Sequence, residues 1–157
     1  MTNVDNINRV VGCRLTYFSS MLGTWVCEFE VDRNERETYS LVIECPWRIQ
    51  KRLQVICGSD DQRVFWNEYG GSLSNSPFGI ALSEVFRIQD FNSGVINSLE
   101  LIVRRIKLSE EGDLQFYFDD ELSLSLFIVG HFDLQWVLKS SNGTCVSLRD
   151  GTVSSTE

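Results

Sequence analysis

Three adjacent carboxylate pairs are the groups in this chain best suited to acid–base chemistry: Asp60-Asp61, Glu110-Glu111 and Asp119-Asp120. Such chemistry needs two carboxyls in unlike environments that face one substrate. Sequence neighbours on a polar turn are both solvated and titrate alike, so the pattern predicts exposed turns. A carboxylate-dependent hydrolase around Asp60 and Asp61 is the enzymatic reading that the pairs leave open. His131 is the one histidine, and it would have to serve as the base of any Cys–His dyad. Its setting, Gly130-His131-Phe132-Asp133, reads instead as a turn. The five cysteines, Cys13, Cys27, Cys45, Cys57 and Cys145, contain no C-x-x-C pair. Neither a metal site nor a cofactor is therefore expected. The sequence has no G-x-S-x-G, no phosphate-cradling glycine loop and no H-E-x-x-H. No catalytic residue is assigned, and the expectation is a protein that is not an enzyme.

The elements that must position these groups are strands. Trp25, Cys27, Phe29 and Val31 alternate with more polar residues, and Tyr39, Leu41, Ile43 and Cys45 do the same beyond a turn at Asp32–Glu35. This predicts a hairpin. Pro46 lacks an N–H and should end or bend the second strand. Leu53, Val55 and Cys57 make a further short run that stops at Gly58. Residues 59–79 read as a long loop with a short strand at Arg63–Trp66, and Ile80–Ile88 as the only helix. Leu114, Phe116 and Phe118, then Leu122, Leu124 and Leu126, alternate on either side of Asp119-Asp120-Glu121. With Ile102, Ile106 and Leu108 they predict a three-stranded meander. Trp136 and Leu138, Asn142-Gly143, then Val146 and Leu148 give a last hairpin, since Asn-Gly between apolar runs favours a tight turn. Eight to ten strands predict an all-β domain over 9–150, a sandwich or partly closed barrel with at most one short helix. Residues 1–8 and 151–157 are expected to be flexible ends.

The chain has 157 residues, 43% of them hydrophobic, enough for a single domain with a real core. Its net charge of −8 argues against nucleic acid, whose phosphates need clustered Lys and Arg. The charge is uneven: residues 1–107 carry 13 acids and 12 bases, whereas 108–157 carry 9 acids and 2 bases. Six of those acids, Glu110, Glu111, Asp113, Asp119, Asp120 and Glu121, fall within one predicted meander. Arg104-Arg105-Lys107 is the dense basic cluster, and cross-strand pairing with Glu or Asp is its expected use. Trp25 and Trp136 read as core, Trp47 as a strand-end anchor, and Trp66 with Tyr69 as loop aromatics able to anchor an interface. An odd cysteine count suits a reducing compartment. With no signal-like segment and no run long enough to span a membrane, the expected location is the cytoplasm.

Leu41-Val42-Ile43-Glu44-Cys45-Pro46-Trp47-Arg48-Ile49 resembles a motif of small, largely uncharacterised bacterial proteins in which a strand ends in Cys-Pro-Trp-Arg-Ile. Gly58-Ser59-Asp60-Asp61, the run from Glu110 to Phe127, and Trp136 resemble their following segments. Val42 and Glu44 stand where those proteins often carry His and Gln. The likeness covers about 40–138 and implies an immunity-type protein of a bacterial toxin system. The expected function is therefore non-enzymatic binding of a basic protein, a cognate toxin. Glu110, Glu111, Asp113, Asp119, Asp120 and Glu121 would form the contact surface, with Trp66 and Tyr69 beside it. A small-molecule-binding β-barrel and a structural or accessory subunit are the alternatives.

Overall fold

Alternating apolar residues become strands through most of the chain. The computed structural model describes residues 2–21, 24–31, 37–61, 76–88, 93–130 and 133–156. The first part comprises α1 (Asn3–Asn8), β1 (Arg14–Met21), β2 (Thr24–Glu30), β3 (Thr38–Ile43), β4 (Trp47–Lys51), β5 (Gln54–Gly58) and α2 (Pro77–Phe86). There follow β6 (Arg105–Leu108), β7 (Leu114–Tyr117), β8 (Leu122–Leu126), β9 (Leu134–Ser140), β10 (Cys145–Arg149) and β11 (Thr152–Thr156). They form a six-stranded sheet in the order β1-β2-β3-β9-β10-β11 and a five-stranded sheet in the order β5-β4-β8-β7-β6. All pairings are antiparallel. The sheets do not close on each other, so the architecture is a β-sandwich and not a barrel.

Two neighbouring strands change sheet together. β3 pairs with β9 in one sheet, and their continuations β4 and β8 pair in the other. Pro46 stands at the first crossing, as its missing N–H allows. The amides of Glu44 and Cys45 both donate to the Gln135 carbonyl, at 2.9 and 3.1 Å, and Phe127 N–H donates to the Pro46 carbonyl at 2.8 Å. The ladder thus runs through the corner without leaving those buried backbone groups unpaired. The outer edge of β1 is covered by the segment before β6. Ile96 N–H donates to Thr16 O at 2.8 Å, Leu15 N–H to Leu101 O at 2.8 Å, and Val103 N–H to Cys13 O at 2.9 Å.

The core lies between the sheets. Trp25, Cys27, Phe29, Leu41, Ile43, Trp136 and Leu138 face Trp47, Ile49, Leu114, Phe116, Leu124 and Leu126, all buried. One aromatic cluster joins the sheets to α2. Trp47 packs edge-on to Phe18 (5.2 Å between centroids, 85°) and to Trp25 (4.9 Å, 70°), while Phe86 lies 4.9 Å from Phe18. The Trp47 indole N–H has no hydrogen-bond partner among the described residues, and Trp47 is 1% exposed.

Three elements depart from the sequence expectation. Residues 3–8 form α1, held by a capping box in which Thr2 and Asp5 bond each other's backbone N–H. Residues 152–156 form β11, the outer strand of the six-stranded sheet, with the Asn3 side-chain amide bonded to its Val153 carbonyl at 3.1 Å. The long helix starts earlier than expected, at Pro77, with Ser76 as N-cap accepting from Gly79 N–H at 2.9 Å. The expected strand at Arg63–Trp66, together with Tyr69, His131 and the turn at Asp32–Glu35, lies outside the described residues.

Trp47→Ala should lower the unfolding free energy by about 3–5 kcal/mol, the usual cost of truncating a buried large aromatic. Trp47→Phe should cost less than about 1.5 kcal/mol, because it keeps most of the packing and removes the unsatisfied donor. Chemical denaturation followed by far-ultraviolet circular dichroism measures both. Equal losses in the two variants would mean that the indole N–H has a partner after all.

Candidate functional site

Successive turns of a meander lie at opposite ends of its strands. This decides where the six carboxylates go. Glu110, Glu111 and Asp113 belong to the β6–β7 turn and Asp119, Asp120 and Glu121 to the β7–β8 turn, so the four residues of β7 separate the two groups. At 3.3 Å per residue that is about 13 Å. The two groups are two sites.

Two of the three carboxylates of the β7–β8 turn are neutralised where they stand, and Asp120 enters no ion pair among the described residues. Arg104 grips Asp119 through two hydrogen bonds, Nε to Oδ1 at 2.9 Å and Nη2 to Oδ2 at 2.8 Å. These bonds hold the Asp119 carboxyl below the usual carboxylate range and raise the arginine. Arg52 Nε lies 2.6 Å from Glu121 Oε2, and its amide donates to the Glu121 carbonyl at 3.0 Å. Asp119 and Asp120 line a groove of about 650 Å³ with Lys51, Glu84, Arg87 and Glu100, and Arg87 is paired with Glu100 at 3.0 Å. Two cations stand there among four carboxylates, two of which, Asp119 and Glu100, are held by arginines, so the lining is mixed with an acidic excess.

The other turn sits at the corner where the chain changes sheet, and it is not neutralised. The Asp113 carboxylate accepts from Ile128 N–H at 2.8 Å, which ties the turn to the second crossing. Trp136 indole N–H donates to Gly112 O at 3.0 Å. Gly112 has φ +101°, and a Cβ there would come within 2.8 Å of Leu148 Cδ2, so the turn packs directly against the end of β10. These contacts bring in carboxylates that the sequence reading did not single out. Asp133 precedes β9, Asp150 is in the β10–β11 turn, and Glu44 follows β3. Glu44, Glu110, Glu111, Asp133 and Asp150 are all exposed. The ion pairs among the described residues are Arg14–Glu30, Arg52–Glu121, Arg87–Glu100 and Arg104–Asp119, none of which involves these five. Val129, 61% exposed, stands in the same connection as Asp133. Alternation of turns is the signal that would have gathered these residues: the β6–β7, β8–β9 and β10–β11 connections are every second turn of one continuous path.

Beneath this end lies Cys45, buried, its thiol pushed up to about 12 by burial, with Asp113 and Glu44 adding to the shift. Burial likewise pushes Cys57 up to about 12 and raises Cys27. None of the five cysteines is in a disulfide, and four are buried, so they pack as small apolar side chains. Asp61 accepts from Gly58 N–H at 2.8 Å and closes the end of β5. Among the described residues no cluster of His, Cys, Asp and Glu is arranged to hold a metal ion, and no helix is long and apolar enough to cross a membrane. Trp66 and Tyr69 lie outside the described residues. No family model, curated protein or solved structure matches the chain.

Replacing Arg104 by Gln should move the Asp119 carboxyl back up toward the ordinary value of about 3.9. A carboxyl held low in the folded state stabilises above its unfolded pKa, and that contribution is lost as pH falls through the folded value. The variant should therefore lose stability relative to wild type near neutrality and converge with it in acid. A carbon-detected titration of Asp119 measures the shift, and an unchanged midpoint would mean that the bidentate pair does not persist in solution.

Proposed function

We propose that the chain is a non-enzymatic protein-binding domain of the immunity type, neutralising a bacterial toxin by covering a basic patch on it. The observation that carries this reading is the corner of the sandwich. There Glu44, Glu110, Glu111, Asp133 and Asp150 come from four separate segments, are exposed, and enter no ion pair among the described residues. Unneutralised carboxylates set on rigid strand ends create a field that steers a cationic partner, and a protruding Val129 gives it an apolar contact. The Cys45-Pro46-Trp47-Arg48-Ile49 run that resembles immunity-type proteins passes through the same corner. Asp119, Asp120 and Glu121 belong to the opposite turn, so they have a lesser part in this reading than Glu110 and Glu111. A second reading, small-molecule binding, rests on the groove of about 650 Å³, a size in the usual range for ligand pockets. Its mixed lining of charges and its position at an end of the strands favour it less.

The test is co-expression with the product of the neighbouring gene, followed by binding of the purified pair. Glu110→Lys with Glu111→Lys and Asp133→Lys should weaken binding at least tenfold, mainly through slower association, and should flatten its dependence on salt. Unchanged affinity and salt dependence in that variant would remove the corner as the binding surface. Reversing Asp119, Asp120 and Glu121 should have a smaller effect.

A further inference from the structure

The outward face of the five-stranded sheet has the opposite character. Register fixes its composition. One row across the strands reads Arg105, Tyr117, Ser123, Gln50, Val55, and the next reads Lys107, Gln115, Ser125, Arg48, Gly58. Ten outward positions carry three cations and no carboxylate, in a chain with 22 acids and 14 bases. The sequence suggested that Arg104, Arg105 and Lys107 pair with acids across strands. Arg104 does, but Arg105 and Lys107 lie over the Tyr117 ring, at 4.2 and 5.8 Å from its centroid. Arg48 lies over the Phe127 ring at 4.6 Å. None of the three has a carboxylate within ion-pair distance among the described residues. Between them, Ser125 is 4% exposed, and its buried hydroxyl has no hydrogen-bond partner among the described residues.

We propose that this face is a second docking surface, independent of the acidic corner, and that its occupant is an acidic protein segment in extended conformation. Charge complementarity sets the sign. Arg105 and Lys107 are two residues apart on one strand, about 7 Å, which matches the spacing of carboxylates at alternate positions of an extended peptide. The Gln50 amide and the N–H groups of the Gln115 amide, whose oxygen already accepts from the Tyr117 hydroxyl, suit a peptide's backbone groups. Single-stranded nucleic acid fits less well. Its bases need open aromatic platforms, and the Tyr117 and Phe127 rings are already covered by cations.

The probe is a fluorescein-labelled ten-residue peptide of alternating Glu and Ser, titrated with the full chain at low salt and read by anisotropy. A Lys/Ser peptide and a ten-nucleotide oligo-dT serve as comparators. The expected result is binding of the Glu/Ser peptide that weakens at least tenfold in Arg48→Gln/Arg105→Gln/Lys107→Gln, with amide shifts on β4, β7 and β8. The single variant Lys107→Gln, which leaves both stacked arginines in place, should weaken it about threefold. Glu110→Gln/Glu111→Gln should not weaken it, which keeps this surface distinguishable from the corner. Absence of binding at millimolar protein, an unchanged affinity in both cation variants, or tighter binding of oligo-dT would overturn the proposal.

Discussion

The structure depends on two adjacent strands changing sheet at the same place. Because β3 pairs with β9 before the corner and β4 with β8 after it, neither crossing can shift without breaking a ladder in both sheets. Gln135 accepts two backbone donors at the bend, and Pro46 offers an acceptor but no donor of its own. This fixes the side chains on either side. Trp47 is directed into the aromatic cluster with Phe18 and Trp25, and Arg48 to the outer face over Phe127. The short run that joins the sheets therefore also sets one core anchor and one surface cation, through nothing more than the alternation of a strand.

The same corner sorts charge. Each time the path from β6 to β11 returns to it, the connecting turn brings a carboxylate, while the turns at the other end either meet arginine or are polar. Cross-strand register keeps the three outward cations of the five-stranded sheet together on one face. A net charge of −8 is thus the sum of regions with unlike signs. Argument from the sum alone describes solubility and long-range steering. Local contact chemistry depends on topology.

Much of the fold was legible in the sequence. Alternation in Trp25–Val31, Tyr39–Cys45 and Leu114–Leu126 gave the hairpins, and Asn142-Gly143 gave the β9–β10 turn, because strand periodicity and turn chemistry are local properties. Signals for the termini were present but unused: Thr2 with Asp5 spells a capping box, and Ser76-Pro77 an N-cap followed by a first-turn proline. β11 could not be read by apolar alternation because Thr-Val-Ser-Ser-Thr has only one side chain to bury. The acidic site was half legible. Glu110 and Glu111 are adjacent in sequence, but Glu44, Asp133 and Asp150 join them only through pairings between distant segments. Conversely, Asp119–Glu121 looked continuous with Glu110 because sequence proximity hides the length of β7.

The small helix at the start of the chain matters out of proportion to its six residues. β11 ends its sheet with Thr152–Thr156, a stretch with no charge and no proline to discourage a second strand from adding to it. The Asn3 amide occupies the Val153 carbonyl, one of the groups through which such addition would proceed. Helix α1 accordingly acts as an edge guard. Its loss would also take the buried Ile7 out of the core, and would bare a template for cross-β growth between molecules.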